Sequence, residues 1–411
     1  MTSHSEPSAP RASRGRRSVD DHAAAVRDLL HPALERLGRD AVTVPLPEAR
    51  GRVLARPVIA PLDLPPFDNS QMDGYAVRSA DLPGRLTAVA TIAAGHAEAA
   101  LAPEPGPRAA APIMTGAMLP AWADAVVPVE AADPPRFVAT GEEVALPEAP
   151  AGQFVRAQGS DVTRGTTVLE PGVRLGAAQI ALLAALGLVD VPVRDALRVA
   201  VLSTGDELVQ PGETLPPGRI YDSNGPMLAA ALEDAGASVL TVQAQEDSPE
   251  GLRAALARLD GVDLVVSTGG ISQGAFEVVK QGLEGGVEFV SVALQPGGPQ
   301  ALGAVTIASG FVPFLGFPGN PVSSLVSFEM FLRPLLAGPR PSVRAVLEGA
   351  ADSPAGKHQV RRGALRDGRV GLEGGAGSHL LHALAQADCL VHLPVGLERA
   401  DDGAEVEVWI V

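Results

Sequence analysis

Four polar or glycine-rich segments each follow an apolar, strand-like run in the second half of the chain. They are Ser203–Glu207, Gln245–Asp247, Thr268–Gly274 and Gly316–Pro321, and helical patterns separate the runs. Alternating strands and helices predict a parallel sheet, and the carboxyl ends of parallel strands open onto one ligand crevice. We therefore expect carboxylates, hydroxyls and bare backbone amides to meet along one rim.

The segment Thr268–Gly274 is typical of a backbone cradle for a phosphate. Glycines let peptide N–H groups approach oxygen atoms closely, and hydroxyls add donors. We expect Thr204, Gly269, Gly270 and Ser272 to bind substrate there. The spacing fits neither a P-loop nor the GxGxxG dinucleotide motif, and a plain tight turn stays open as the alternative.

Carboxylates at the same rim predict a magnesium site. Glu207 and Asp247, with Asp206 beside them, offer the oxygen ligands that Mg²⁺ shares with substrate phosphates. The alternative is that Asp206 caps a turn and that Glu207 is only solvated.

The segment Pro318–Pro321 predicts the start of a helix at the rim. Asn320 is a candidate N-cap and Pro321 a candidate first helical residue. The positive end of that helix would favour an anion in the crevice. A cap without any ligand is an equal alternative.

Away from the rim, the loop Pro65–Val77 (PPFDNSQMDGYAV) combines two carboxylates with an apolar run. This composition is typical of an active-site loop, and a self-capped turn is the alternative. The eight histidines show no metal-ligand spacing, and one cysteine cannot build the usual zinc site. Cys389 is interpreted as a small buried apolar residue.

Helices and strands must position these segments. The chain is predicted to be a multidomain α/β protein with a doubly wound parallel-sheet domain. A helix is expected over Ser18–Leu37, kinked or broken near Pro32 and stopped by Gly38. The predicted parts are a disordered tail (1–17), the N-terminal helix with the first part of a linking domain (18–60), an inserted β-rich domain (61–161), the second part of the linking domain (162–195), the α/β domain (196–338) and a C-terminal β-barrel-like domain (339–411).

Charge and composition exclude several classes of partner. The formal net charge is −16, which disfavours nucleic acid and anionic membranes, and no apolar run is long enough to span a bilayer. A single cysteine cannot form an intrachain disulfide, so we expect a reducing, cytoplasmic location. An anion can still bind locally, through backbone amides, arginines or a bridging cation.

Taken together, the motifs resemble those of the molybdopterin molybdenumtransferase family, which includes the bacterial MoeA proteins and the E domain of gephyrin. The similarity extends from about Ser18 to Val411 and is specific because of the order of its segments. Those segments are PPFDNSQMDGYAV (65–77), IMTGAMLPAWADAVVPVE (113–130), RAQGSDVTRG (156–165), STGDEL (203–208), YDSN (221–224), STGGISQG (267–274), PFLGFPGNPVS (313–323) and GSHLLHALAQAD (377–388).

The resemblance implies an elongated homodimer in which residues 196–338 bind molybdopterin and the partner subunit's inserted region closes the cleft. It implies a reaction of adenylylated molybdopterin with molybdate, in which Mg²⁺ assists release of AMP. Asp73, Glu207 and Asp247 are the catalytic candidates it suggests, the last two also as metal ligands. The substrate-binding candidates that it suggests or supports are Thr115, Arg156, Asp161, Glu277, Pro318, Asn320, Pro321 and Ser378.

The chain departs from the family pattern at a position that matters for charge. The family carries lysines on both sides of a Pro-Gly pair, where this chain has Gln295 and Gly298. Arginines or Mg²⁺ could supply the missing charge to an active enzyme. The alternative is a non-catalytic or weakly active paralogue that binds molybdopterin or the finished cofactor. Glu277 is a smaller departure, because the family often has Asp there.

Overall fold

The computed structural model describes residues 16–245, 248–270, 283 and 286–411. Residues 1–15 of the predicted tail lie outside this range, as do residues 276–282 of the helix expected near 276–283. The chain divides into two compact units, one formed by 1–40 and 194–411 and the other by 41–193.

The first helix, Val19–Arg39, begins as predicted and ends later. Ser18 is its N-cap, and the Ser18 hydroxyl accepts a hydrogen bond from the Asp21 amide at 3.0 Å. The helix continues through Pro32 and through Gly38, so the predicted stop at Gly38 is wrong. Burial of Val26 and Leu30 against the large core of this unit outweighs the unfavourable helix propensity of one proline and one glycine.

Arg17 is ordered, although the sequence analysis placed it in the tail. Its backbone pairs with Val292, and its guanidinium donates two hydrogen bonds to the Glu288 carboxylate at 2.8 and 2.9 Å. The chain is therefore tied to the edge of the sheet before the first helix begins.

The central sheet of this unit has six strands and confirms the predicted parallel architecture. Four strands run parallel, and two antiparallel strands that the sequence analysis did not predict extend the sheet at one edge. In spatial order the strands are Ser238–Gln245, Arg198–Thr204, Leu264–Thr268, Gly310–Phe317, Pro299–Ile307 and Val287–Ser291.

Helices cover both faces of this sheet. Along the strand Arg198–Thr204, Val199 and Val201 face one core, whereas Ala200 and Leu202 face another. Alternate side chains of a strand point to opposite faces, so such a strand must be apolar throughout. Besides Val19–Arg39, the described residues of this unit form the helices Asn224–Asp234, Pro249–Arg258, Pro321–Ser327, the π-helical turn Phe328–Leu332, Arg333–Ala337 and Leu381–Gln386.

The C-terminal part folds into a closed β-barrel, as predicted. The sheet closes because the strand His358–Arg366 pairs with both Arg369–Leu372 and Cys389–Leu393. Its other strands are Leu294–Gln295, Ser342–Glu348 and Glu405–Ile410. Cys389 is fully buried among the apolar residues of this barrel, and burial raises the pKa of its thiol to about 12. A thiol of that kind stays protonated and inert.

The second unit is rich in short strands. Its main sheet has five strands, in the order Ala125–Pro128, Gly74–Val77, Ala109–Ile113, Gly84–Ala88 and Glu143–Leu146. Two-stranded pairs join Asn69–Ser70 to Val155–Arg156, Val58–Ile59 to Thr167–Leu169, and Ala41–Pro45 to Asp190–Arg194. Its helices are Ala177–Ala185 and the 3-10 turns Leu46–Ala49, Ser79–Asp81 and Val129–Ala131.

Among the described residues, none of the helices combines the length and the apolar character needed to cross a membrane.

Two contacting histidines in the barrel make its stability depend on pH. His358 Nε2 lies 2.9 Å from His392 Nδ1, and the Trp409 ring packs on His392 with 4.1 Å between the ring centroids. Burial, with His358 nearby, lowers the pKa of His392 to about 3, and burial also lowers the pKa of His358. The folded state therefore binds fewer protons than the unfolded chain between about pH 3 and pH 6.5.

We predict that the free energy of unfolding falls as the pH drops below about 6.5, by up to about 1.4 kcal/mol per pH unit for each such histidine. The variant His392→Gln removes one of these groups and should show a shallower slope in urea titrations at several pH values. His96→Gln, which removes an exposed imidazole, should retain the wild-type slope. Equal slopes in all three proteins would contradict the account.

Candidate active site

Three loops lie together at the carboxyl end of the central sheet. The amide of Gly269 donates to the Phe317 carbonyl at 3.1 Å, and Thr204 Oγ1 donates to the Thr268 carbonyl at 3.4 Å. The ends of the strands Arg198–Thr204, Leu264–Thr268 and Gly310–Phe317 therefore form one rim, which is where the sequence analysis expected the crevice.

Gly269 allows these loops to approach each other. It has φ +92°, and a Cβ atom there would lie 2.4 Å from the Thr204 carbonyl oxygen. A Cβ atom on Gly319 would lie 3.4 Å from Gly269 Cα. No side chain fits at position 269 without moving backbone, so the closeness of the three loops depends on glycine. Gly270, with φ +65°, continues the same left-handed turn.

The segment Pro318–Pro321 begins a helix, as predicted. Asn320 is the N-cap residue and Pro321 lies in the first turn, but the Asn320 side chain makes no capping hydrogen bond. The Val322 amide instead donates to the Ser378 carbonyl at 3.1 Å. The structure thus brings Ser378 to the rim through its backbone, on the loop that leads into the short helix Leu381–Gln386.

Glu207 is exposed at this rim, as is the neighbouring Asp206. Glu207 folds its side chain over Gly205, where a Cβ atom would lie 2.6 Å from Glu207 Oε2. Its carbonyl accepts a hydrogen bond from the Ile220 amide at 2.8 Å, which holds the backbone in place.

The second predicted metal ligand, Asp247, lies outside the described residues, as do Ser272 and Glu277. Within the part of the chain that the structure describes, no group of three His, Cys, Asp or Glu side chains is arranged for a metal ion. The magnesium site stays a prediction.

Asn224 contacts two of the rim loops, and the sequence analysis assigned it no role. Its Nδ2 atom donates to Thr268 Oγ1 at 3.0 Å and to the Gly319 carbonyl at 2.6 Å. Thr268 Oγ1 in turn donates to the Pro318 carbonyl at 3.1 Å. The residue belongs to the YDSN motif, so the only sequence signal for it was the resemblance.

In the second unit, Asp73 and Thr115 form one cluster. Asp73 Oδ1 accepts hydrogen bonds from both the amide and the hydroxyl of Thr115, each at 2.7 Å. These bonds, the amide first, hold the pKa of the Asp73 carboxyl below its usual range. The group is exposed and carries a negative charge at neutral pH, which suits it to accept hydrogen bonds or a cation.

Arg156 ends the short strand Val155–Arg156, and Asp161 lies on the loop that follows it in the same unit. Arg156 Nη1 donates to the buried Asn69 Oδ1 at 3.0 Å, and the Asp161 amide donates to the Leu64 carbonyl at 3.0 Å. Gln158, to which the sequence analysis assigned no role, holds this loop against the 63–74 segment. Gln158 donates to Asp63 and Asp68, both at 2.7 Å. The arrangement holds Arg156 and Asp161 beside a fixed loop and leaves both exposed.

Comparison with known proteins identifies what this arrangement belongs to. Family models match three consecutive stretches, described as the MoeA N-terminal region (domains I and II) at 17–187, a probable molybdopterin binding domain at 200–338 and the MoeA C-terminal region (domain IV) at 344–411. A protein from Mycobacterium tuberculosis named "Molybdopterin molybdenumtransferase 2" is 42% identical over 96% of this chain and 99% of its own length. The chain belongs to the molybdopterin molybdenumtransferase family.

Other relatives agree. A molybdopterin molybdenumtransferase from Haemophilus influenzae is 36% identical over 85% of this chain and 88% of its own length. A solved structure of a MoeA protein from Pyrococcus horikoshii superposes with a TM-score of 0.74 at 31% identity, over 96% of this chain and 99% of that one. Another from the same organism gives a TM-score of 0.71 at 26% identity, over 94% and 99%.

Gln295 and Gly298 stand at the two positions where the resemblance implies lysines. Gln295 Oε1 accepts a hydrogen bond from the buried Gln359 Nε2 at 2.9 Å, because Leu294–Gln295 pairs with the barrel strand His358–Arg366. At Gly298 a Cβ atom would lie 3.4 Å from its nearest neighbours, the carbonyl oxygens of Val292 and Leu294. The two positions thus hold a neutral amide pair and a residue without a side chain, where the resemblance implies lysines.

Two arginines on that barrel strand, Arg361 and Arg362, contact the loop that leads to Ser378. Arg361 donates to the Gly374 carbonyl at 3.2 Å, and Arg362 donates to three carbonyls of the loop 373–377, which leads to Ser378. Burial lowers the pKa of both guanidinium groups, and Arg361 lowers that of Arg362 further. These partners are neutral, so the two positive charges are not cancelled by them.

The close approach at Gly269 leads to a prediction about stability. The variant Gly269→Ala should lower the free energy of unfolding by about 1–3 kcal/mol more than Gly218→Ala. Both glycines have positive φ, but a Cβ atom at Gly218 meets nothing within 4 Å. The difference therefore isolates the clash with Thr204 from the cost of the backbone conformation. Urea titrations would measure both variants, and equal losses would contradict the contact.

Proposed function

We propose that this chain inserts molybdenum from molybdate into adenylylated molybdopterin and releases molybdenum cofactor and AMP. The observation that carries the proposal is the rim built from the loops at Thr204, Gly269 and Gly319, whose closeness requires glycine. Ligands of open α/β sheets bind at this end of the strands. The named relatives, at 35–42% identity, disfavour the alternative of a non-catalytic paralogue.

The rim and the barrel loop before Ser378 would supply neutral and positive partners for a highly anionic substrate. Backbone amides of the 268–270 loop and the start of the helix at Pro321 would bind phosphate oxygens. Arg361 and Arg362 would attract molybdate toward Ser378. Such local sites would outweigh the repulsion between an anionic substrate and a chain of net charge −16. A backbone donor or a buried guanidinium acts over a few ångströms, whereas more distant exposed charges are screened by salt.

We propose that the rim binds Mg²⁺. This ion commonly takes one or two carboxylates and completes its shell with waters and substrate phosphates, so the exposed Glu207 is a suitable ligand. Asp247 is the second proposed ligand. When bound, Mg²⁺ would neutralise charge on the adenylyl phosphate whose bond breaks. Glu207 itself would orient that phosphate, since its backbone is held by the Ile220 amide.

We further propose a cytoplasmic homodimer, on the strength of the family resemblance. The partner subunit's inserted region would then contribute the carboxylate-and-hydroxyl cluster of Asp73 and Thr115, together with Arg156 and Asp161. The charged state of Asp73, stabilised by two hydrogen bonds, suits a role beside a cation or a substrate donor.

The proposal is tested by cofactor formation and AMP release from adenylylated molybdopterin, molybdate and Mg²⁺. Glu207→Ala should lower the turnover rate by roughly 100-fold or more and leave the free energy of unfolding unchanged within about 0.5 kcal/mol, because the side chain is exposed. Glu213→Ala, on the nearby exposed loop, is the matched control and should keep wild-type turnover. Wild-type turnover in Glu207→Ala would remove Glu207 from the mechanism. Binding without turnover in the unaltered protein would contradict the transferase proposal.

The source of positive charge is tested separately. Arg361→Gln should raise the KM for molybdate by about 10-fold or more, the effect of losing one charge-assisted contact. Arg361→Lys keeps the charge and should lie between this variant and the wild type. The double variant Gln295→Lys/Gly298→Lys should gain little, because the arginines already supply the charge. A large gain in the double variant, with no loss in Arg361→Gln, would show that the charge is absent from this chain.

A further inference from the structure

The side chain of Asn224 spans two loops of the rim from a third element. Its Nδ2 atom bonds the Thr268 hydroxyl and the Gly319 carbonyl, which belong to the ends of two neighbouring strands. Asn224 itself is the first residue of the helix Asn224–Asp234. That helix is held by burial of Leu228 and Leu232 in the core, so the amide is presented from a rigid support.

The orientation of this amide is determined by its neighbours. The Gly319 carbonyl can only accept a hydrogen bond, so the atom facing it at 2.6 Å must be the nitrogen. The Thr268 hydroxyl donates its hydrogen bond to the Pro318 carbonyl, so its oxygen is the acceptor toward Asn224. Both N–H bonds of the Asn224 amide are used, and no other neutral side chain of the same size offers two donors from one atom.

The other end of the amide is left unsatisfied. Asn224 Oδ1 is buried and has no hydrogen-bond partner among the described residues. A buried acceptor without a donor is destabilising, and such groups in folded proteins call for an explanation. The two hydrogen bonds made by Nδ2 of the same amide, which hold the two loops together, offset this cost.

The geometry points to Asn224 as a positioning residue that sets the separation between the 268–270 loop and the 317–321 loop. By doing so it sets the affinity of the rim for the anionic pterin substrate. This inference rests on the proposed function for the identity of the substrate, but the spacing of the loops can be tested without it. Asn224 acts through Gly269, Gly319 and the helix at Pro321, and is assigned no chemical step.

The test compares Asn224→Ala and Asn224→Asp with the wild type in the full-length chain. Asn224→Ala should raise the KM for adenylylated molybdopterin by about 10-fold, the effect of losing a well-placed hydrogen bond, with a smaller effect on kcat. Asn224→Asp should show the same rise in KM at a pH of about 8, because a carboxylate has no donor for the Gly319 carbonyl.

The aspartate variant should recover part of its affinity at a pH of about 5.5, relative to the wild type. Its protonated carboxyl has one O–H donor, and a facing carbonyl oxygen favours that neutral form. The alanine variant should not recover. Ser223→Ala, at the preceding exposed position without a side-chain cap, is the matched control and should behave as the wild type throughout. The inference would be overturned if kcat fell by as large a factor as KM rose and the aspartate variant did not recover at the lower pH.

A second readout needs no substrate. Hydrogen exchange should speed up at the Gly269 amide, which donates to Phe317, and at the Ser324 amide, which donates to Asn320, in Asn224→Ala but not in Ser223→Ala. Unchanged exchange at both amides would overturn the positioning role even if the enzyme is active. If the wild type shows no turnover, the proposed function fails, whereas faster exchange in Asn224→Ala still supports the spacing role.

Discussion

The contact between Gly269 and the Thr204 carbonyl is the constraint on which the rest of the rim depends. Parallel strands bring their carboxyl ends to one edge, but they do not bring the loops beyond that edge into contact. Contact requires a residue without a side chain in a left-handed conformation, and Gly269 meets both conditions. Gly319 then packs on Gly269, and the helix at Pro321 starts from the same place.

Local groups, rather than the net charge of the chain, determine how the rim would interact with an anion. The chain is strongly acidic overall, yet the rim offers backbone amides and a helix start, and the barrel carries two arginines that donate to backbone carbonyls of the loop before Ser378. Gln295 and Gly298, where the resemblance implies lysines, carry no charge. Gln295 is hydrogen-bonded to Gln359 of the barrel. The strand that contains Gln359 also contains Arg361 and Arg362.

The sequence predicted the fold well wherever the pattern was periodic. Continuous apolar runs marked the parallel strands, because both faces of the sheet are covered, and turn signals separated the strands of the barrel. The two antiparallel strands beyond Gly310–Phe317 were missed, since nothing in a short apolar run tells the direction of pairing. The stop at Gly38 was wrong because core burial of the helix outweighs the propensity of one glycine.

The candidate site was predictable only in part. Residues at strand ends, such as Glu207 and Gly269, follow from topology. Asn224 does not, because its importance comes from two acceptors that lie 44 and 95 positions further along the chain. Arg361 and Arg362 were missed for the same reason, since only the folded barrel brings them to the loop before Ser378. Ser378 was found through the resemblance, but its contact is made by the carbonyl rather than by the hydroxyl.

The most direct test of the account is a crystal structure of the full chain with adenylylated molybdopterin bound. The account predicts that the phosphates of the ligand lie against the loops 204–207, 268–270 and 317–321, with Asn224 still bonded to Thr268 and Gly319. A ligand bound elsewhere, with this rim filled only by solvent, would contradict the central claim that the glycine-dependent rim is the substrate site.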